Sequence, residues 1–135
     1  MRIGLHLSIS KGLTHVVTEA EELGCEALQI FAGNPRGWAK KPLDPKAVAA
    51  FKARVKTAGL GPIVVHLSYL PNPAAPEGEL YEKSIRSLVE EYRRAVELGA
   101  DFLVVHPGKA GEQSLATAIS QAAQGIRQVL EQVPG

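Results

Sequence analysis

Cysteine is almost absent from the sequence, which contains a single one, Cys25, in 135 residues. One cysteine excludes an internal disulfide and any zinc knuckle built from several cysteines. A metal ion bound by this chain would therefore need histidine and carboxylate ligands, and these donors favour catalytic over structural metal chemistry.

Long hydrophobic runs and an excess of charge are also absent. The apolar runs are only a few residues long, far short of the ~20 residues that cross a bilayer, and residues 1–4 lead directly into a strand-like pattern instead of a signal peptide. The net charge is +1, so the chain has no overall basic surface of the kind that announces nucleic-acid binding. These absences predict a cytoplasmic protein without a membrane partner, in which any nucleic acid is held locally.

The residues that are present have the composition of one ordinary globular domain, with 45% hydrophobic and 21% charged residues. Short apolar segments typical of strands lie at residues 2–7, 26–31, 62–66 and 101–106. Each is followed by a longer segment in which apolar residues recur at every third or fourth position, as in amphipathic helices.

The third and fourth helical segments have the most extended apolar stripes. The stripe of the third segment consists of Ile85, Leu88, Val89, Tyr92 and Val96, and that of the fourth consists of Leu115, Ile119, Ala122, Ala123, Ile126, Val129 and Leu130. Glu90 and Glu91, which lie between the apolar residues of the third stripe, are predicted to be on a solvated helix face.

Glycine and aspartate mark the predicted helix ends. Gly24, Gly59 and Gly99 each follow a helical stripe and precede a strand, and Asp44 is a predicted N-cap. Tight helix-to-strand turns in a repeated β-α order favour a parallel sheet with helices outside. We therefore predict an α/β fold in which about four β-α units form a single domain over residues 1–135.

The strand-to-helix connections are longer than the helix-to-strand turns and reach about a dozen residues at 32–43 and 67–77. The first of these connections carries Arg36, Lys40 and Lys41 without an acidic residue. Parallel α/β proteins place function in the loops at this end of the sheet. The unusual residues predicted to lie there are His6, Asn34, Arg36, Trp38, His66, Tyr69, His106 and Lys109.

Two histidines stand at equivalent places in adjacent units. His66 and His106 both follow apolar runs at predicted strand ends, so their imidazoles are expected to converge. Neutral imidazole is a common zinc ligand, and a catalytic zinc site usually has three protein ligands, of which this pair would supply two. His6, with Ser8 beside it, is predicted to contact substrate in preference to metal, whereas His15 is predicted to be a surface or packing residue.

Four segments, "IGLHLSISKGL", "IFAGNPRGW", "HLSYLPN" and "VVHPG", resemble in order and spacing the amino-terminal half of the endonuclease IV family of DNA-repair enzymes. The resemblance covers essentially the whole chain. It implies an eight-stranded TIM barrel of which this chain contains about half. It also implies double-stranded DNA as the partner and cleavage of the phosphodiester 5′ to an abasic site with three zinc ions.

The same resemblance implies roles for particular residues. His66 and His106 match two histidines that bind one of the zinc ions, and Arg36, Tyr69 and Leu70 match residues that enter the DNA at the lesion. An aromatic residue with a leucine can act as a wedge at a step that is already weakened by a missing base. Their position at the same end of the sheet adds four further predicted DNA contacts, His6, Ser8, Asn34 and Lys109.

The chain contains about four of the eight units in such a barrel, so the family's remaining acidic and histidine ligands are missing. A lone copy is expected to bind at most one zinc ion, weakly, and to catalyse poorly or not at all. Its open strand edges invite pairing with a carboxy-terminal half or a second copy.

Two other interpretations stay open. One is a metal-dependent barrel similar to sugar isomerases or epimerases, on which Arg36 and the pair Tyr69 and Leu70 would have no evident use. The other is a non-catalytic module that binds DNA or associates with itself.

Overall fold

The computed structural model describes residues 1–135, in which four strands alternate with four helices. All four predicted β-α units are present, although each strand is shorter than the apolar segment that predicted it. The elements are β1 (Gly4–His6), α1 (Leu13–Glu22), β2 (Ala27–Phe31), α2 (Pro45–Ala58), β3 (Ile63–His66), α3 (Glu79–Leu98), β4 (Phe102–Val104) and α4 (Leu115–Gln132).

The four strands form one parallel sheet in the order β1-β2-β3-β4, so each strand pairs only with its neighbours in the sequence. The registers align Gly4 with Ala27 and Leu28 with Ile63. The predicted α/β fold of consecutive β-α units is therefore confirmed, and four strands are half the number that closes a TIM barrel.

The main core lies between the sheet and the first two helices. Leu28, Ile30 and Val65 point to this side of the sheet, where they are at most 1% exposed and belong to one cluster with Val17 and Phe51. Alternate residues of the same strands point to the opposite side. That opposite side has no covering layer in this chain.

The helix ends follow the predicted chemistry. Asp44 accepts a hydrogen bond from the backbone N–H of Lys46 at 3.1 Å and begins α2. Gly59 and Gly99 end α2 and α3 in the left-handed conformation, with φ of 65° and 71°. None of the helices combines the length and the apolar character that crossing a membrane requires.

The buried face of α3 differs from the predicted stripe. Glu91, predicted to be solvated, is 2% exposed, and Arg94 is 8% exposed, whereas Val96 is 40% exposed. The prediction for Glu91 is wrong because the side chain has buried polar partners, which favour a charged residue at a position that otherwise demands an apolar one.

Apolar side chains of the last β-α unit remain uncovered. The stripe predicted for α4 is buried only in part, through residues such as Ala122 and Val129. The exposed part and the outer strand β4 together carry the exposed apolar residues that we call the open side. It consists of Phe102, Val104, Leu115, Ile119 and Leu130.

Candidate functional site

The loops that follow the strands all lie at one end of the sheet, because the strands are parallel. We call this end the carboxyl rim. It gathers the β2-α2 loop (residues 32–44), the β3-α3 loop (residues 67–78) and the β4-α4 loop (residues 105–114). All of the predicted site residues lie in these loops, at the ends of β1 and β3, or directly after β1.

His66 and His106 are brought together at the carboxyl rim, with their Nε2 atoms 3.1 Å apart. His66 ends β3 as predicted, but His106 lies two residues beyond the end of β4. The prediction that His106 ends its strand is wrong, because the last ladder hydrogen bond between the two strands is accepted by the carbonyl of Val104 from the N–H of Leu67.

The orientation of the His66 ring suits metal binding through Nε2. Its Nδ1 lies 2.7 Å from the backbone carbonyl of Leu67, and because a carbonyl only accepts, Nδ1 carries the proton. The lone pair is therefore on Nε2, which is the arrangement that fixes histidine ligands in metal sites.

The histidine pair fits part of a zinc site. Two nitrogens bound to one tetrahedral zinc lie about 3.3 Å apart, close to the observed 3.1 Å between His66 and His106. The chain contains no group of three or more histidine, cysteine, aspartate or glutamate side chains that could hold a metal ion. It therefore offers two ligands, one fewer than the three protein ligands of a typical catalytic zinc site.

His6 lies next to this pair without joining it. Its ring centroid is 6.3 Å from that of His66, and its Nδ1 accepts a hydrogen bond from Nε2 of Gln29 at 2.8 Å. Burial lowers the pKa of His6, and the nearby His66 lowers it further. His6 is therefore neutral near pH 7, and its Nε2–H is left to donate to a ligand.

The β2-α2 loop presents Arg36 at the surface. Asn34 Oδ1 accepts a hydrogen bond from the Arg36 N–H at 3.0 Å, a local turn that asparagine favours. Asn34 and Arg36 are both exposed. The loop therefore fixes the backbone of Arg36 while its guanidinium stays free.

The β3-α3 loop presents Tyr69 beside Arg36. The Tyr69 N–H donates to the backbone carbonyl of Pro35 at 2.9 Å, which joins the two loops directly. The Tyr69 ring meets the edge of Phe31 with centroids 5.2 Å apart, yet the residue is 62% exposed. Leu70 is half-buried behind it.

A basic cleft opens between these loops and the end of β1. Its volume is about 840 Å³, and its walls carry Arg36, Lys40, Lys41 and Arg94 without any carboxylate. Of the predicted metal ligands and DNA contacts, four do not line it, namely Leu70, Lys109 and the two histidines of the pair. Those that do are His6, Ser8, Asn34, Arg36 and Tyr69.

Lys109 is fixed through its backbone by Asn72 of the β3-α3 loop. Asn72 Oδ1 accepts from the Lys109 N–H at 2.9 Å, and Asn72 Nδ2 donates to the Lys109 carbonyl at 3.1 Å. The Lys109 side chain is exposed. The asparagine thus ties the loop that contains His106 to the loop that contains Tyr69.

Gly108→Ala is expected to destabilise the protein by about 2–4 kcal/mol. Gly108 has a φ of 102°, and an added Cβ would overlap with Asn72 Oδ1. The substitution therefore introduces backbone strain of about 1–3 kcal/mol and displaces hydrogen bonds of about 1 kcal/mol each between Asn72 and Lys109. Urea unfolding followed by circular dichroism measures the loss.

Gly111→Ala is the matched control in the same loop. Gly111 has a φ of 62°, and a Cβ there would meet no atom within 4 Å. The substitution should lower the free energy of unfolding only by the cost of a left-handed backbone conformation, about 1 kcal/mol. Equal losses for the two variants would contradict the crowding argument at Gly108.

Residues 17–134 match the profile of the family described as xylose isomerase-like TIM barrels. The chain belongs to this family. It is 44% identical over 127 residues to a protein of Methanoculleus marisnigri named "Probable endonuclease 4". This match covers 89% of the chain and 45% of the relative.

A solved structure gives the same result. The crystal structure of endonuclease IV from Thermus thermophilus superimposes on this barrel segment with a TM-score of 0.81 and 41% identity, covering 96% of this chain and 47% of that one. The resemblance to endonuclease IV is therefore confirmed. The chain spans about half the length of the relatives that it matches.

Sugar epimerases share the fold only. The crystal structure of 3-keto-D-glucoside 4-epimerase from E. coli has a TM-score of 0.66 but 16% identity over 97% of this chain. This likeness concerns the fold alone. It does not extend to the chemistry of the rim.

A buried polar junction beneath the cleft of this TIM-barrel segment was not predicted. Lys40 Nζ lies 3.5 Å from Glu91 Oε1, and both side chains are 2% exposed. Glu91 lies three residues after the buried Leu88, so the two share a helix face. That spacing is compatible with burial of Glu91, but it does not identify Lys40 or Ser68 as its partners.

Proposed function

We propose that this chain carries the lesion-recognition loops and part of the metal site of a DNA-repair endonuclease that hydrolyses the phosphodiester 5′ to abasic sites with zinc-activated water. One observation carries the proposal: Tyr69, hydrogen-bonded to the loop of Arg36, lies three residues after the metal-ligand candidate His66. A residue that can probe a lesion is thus directly connected to the candidate metal site. Similarity to proteins named endonuclease 4 supports the reaction class.

His66 and His106 would hold one zinc ion through their Nε2 atoms. When bound, zinc lowers the pKa of a coordinated water and supplies hydroxide near neutral pH. In this chain, the Leu67 carbonyl orients the His66 ring, and no third ligand is present. We therefore expect a lone copy to bind at most one zinc ion, weakly. The three zinc ions that the resemblance to the endonuclease IV family implies would need further ligands from outside this chain.

Tyr69 and Leu70 would act as a wedge at the lesion. Tyr69 is 62% exposed, so its ring is available to a partner, and the backbone bond to Pro35 holds it beside Arg36. A base step that has already lost one base is the least costly to unstack. Arg36 would enter the same gap, because its guanidinium is exposed and its backbone is fixed by Asn34.

The remaining rim residues would position the DNA backbone. Arg36 and Lys41 give the cleft a positive potential that attracts phosphates. Side-chain donors close to that cleft would contact phosphate or sugar oxygens and fix the register without reading sequence. We assign this role to His6, Ser8, Asn34 and Lys109.

The open side requires a complementary partner. Phe102 is 60% exposed and Leu115 is 71% exposed, and the outer edges of β1 and β4 have no strand beside them. Apolar surface and unpaired strand edges of this kind favour pairing. We propose that a carboxy-terminal half of the barrel, or a second copy of this chain, covers them.

The test combines metal content with lesion binding. Zinc stoichiometry is measured by elemental analysis on the purified chain, and its solution mass is determined in the same run. Fluorescence anisotropy then compares two duplexes that differ only in one nucleotide, replaced in one of them by a tetrahydrofuran abasic analogue. Cleavage of both duplexes is followed on a denaturing gel.

Tighter binding to the abasic duplex, with one zinc or fewer on a monomer, is the expected result. Two or three zinc ions on a dimer would indicate that two copies rebuild the metal centre. Equal affinity for both duplexes would contradict lesion recognition. A preference for the abasic duplex without hydrolysis by a dimer that holds two or three zinc ions would favour the non-catalytic module.

A further inference from the structure

We propose that Glu91 on α3 is a positioning residue that fixes the β2-α2 loop and the β3-α3 loop in one relative arrangement. The effect of Glu91 on the preference for abasic DNA rests on the function proposed above, whereas its effect on the position of the loops does not. Glu91 lies outside the cleft wall and therefore acts on Arg36 and Tyr69 through other residues.

Glu91 holds the β3-α3 loop at Ser68. One carboxylate oxygen, Oε2, accepts from the Ser68 backbone N–H at 3.0 Å, and the other, Oε1, accepts from the Ser68 hydroxyl. Ser68 is itself 6% exposed. Because Tyr69 is the next residue, the carboxylate fixes the point from which the Tyr69 side chain leaves the rim.

The same carboxylate holds the β2-α2 loop through Lys40. Lys40 Nζ lies 3.5 Å from Glu91 Oε1 and donates to the carbonyls of Asn34 at 3.0 Å and Gly37 at 2.7 Å. These two carbonyls lie on either side of Arg36. The Lys40 ammonium therefore stabilises the turn that presents Arg36, and Glu91 fixes the position of that ammonium.

Arg94, three residues further along α3, anchors the two ends of the same turn. Its Nε donates to the Ala32 carbonyl at 2.9 Å, and its Nη1 donates to the Lys41 carbonyl at 2.6 Å. Arg94 contacts only the β2-α2 loop in this way. Glu91 is thus the residue through which α3 reaches both loops at once.

Charge explains why an apolar residue cannot replace Glu91. A buried ammonium without a carboxylate is strongly unfavourable, and the Ser68 N–H and hydroxyl would also lose their acceptor. Removing both charges together is far better tolerated. A variant that lacks both charges can therefore show whether Glu91 fixes the position of the loops or contributes to stability alone.

The test uses the whole chain and three variants. Glu91→Gln removes the charge, Glu91→Gln with Lys40→Met removes both charges, and Glu97→Gln is the matched control at an exposed position of the same helix. Loop position is read from acrylamide quenching of Trp38, the only tryptophan in the chain, which is half-buried in the β2-α2 loop. Urea midpoints and the ratio of affinities for abasic and intact duplexes are measured in parallel.

Glu91→Gln is expected to lower the urea midpoint, to increase the quenching of Trp38 and to reduce the abasic preference by about tenfold, equivalent to a coupling of about 1.4 kcal/mol. The double variant should regain part of the lost urea midpoint, because no unpaired charge stays buried. It should not regain the loop position or the abasic preference, because the ion pair that joins the two loops is absent and the Asn34 and Gly37 carbonyls lose their donor. Glu97→Gln should resemble the unmodified protein.

Two results would overturn the proposal. One is unchanged Trp38 quenching in both Glu91 variants, and the other is full recovery of the abasic preference in the double variant. If the unmodified chain has no abasic preference, the proposed function fails, and Trp38 quenching in the double variant alone decides whether Glu91 fixes the loops.

Discussion

Replacing His106 with alanine is expected to weaken zinc binding at least about 100-fold. Loss of residues that merely orient a ligand already reduces metal affinity by about 10–100-fold, and His106 is proposed to contribute a ligand nitrogen itself. His66 would remain as the only protein ligand of the pair. Competition with a zinc-binding dye, measured on metal-free protein, gives the affinity.

His15→Ala provides the control for this prediction. His15 is exposed on α1, so its removal should leave zinc affinity unchanged while altering the histidine count by the same amount. His66→Ala should match His106→Ala. Unchanged zinc affinity in either of those two variants would exclude the pair as the metal site.

Replacing both Tyr69 and Leu70 with alanine is expected to reduce the preference for abasic over intact DNA by about 10–100-fold. Truncating a central contact residue typically costs about 2 kcal/mol or more, and about 1.4 kcal/mol corresponds to a factor of ten. Affinity for the intact duplex should change little, because a wedge engages only where a base is missing. Anisotropy titrations on the two matched duplexes measure both quantities.

Leu23→Ala is a suitable control for the wedge. Leu23 is 56% exposed and caps the carboxyl end of α1, at the opposite end of the sheet from the rim. Its truncation removes exposed apolar surface without touching the cleft. If the Tyr69 and Leu70 variant loses affinity equally for both duplexes, the wedge assignment is wrong.

The sequence predicts the fold well because its signals are local. Apolar segments, the Asp44 N-cap and the glycines at 59 and 99 each act within a few residues of chain. Each apolar segment contains a strand, although a shorter one, and the three cap residues lie where they were predicted. The convergence of His66 and His106 was also predictable. It follows from parallel strands, whose ends must meet at one edge of the sheet.

The polar junction was not predictable in the same way. Whether Glu91 is solvated or buried depends on Ser68 and Lys40, which lie 23 and 51 residues away in the sequence. A charge between apolar positions of a helix is usually solvated. Only the folded loops provide the partners that make its burial favourable.

The position of Glu91 in the sequence also orders events during synthesis. Strands pair only with their sequence neighbours, and synthesis adds the β-α units in the same order. Both loops that Glu91 joins precede it in the chain. They leave the ribosome before their common anchor, so the two loops can be held in one relative arrangement only after α3 has been synthesised and has packed on the sheet.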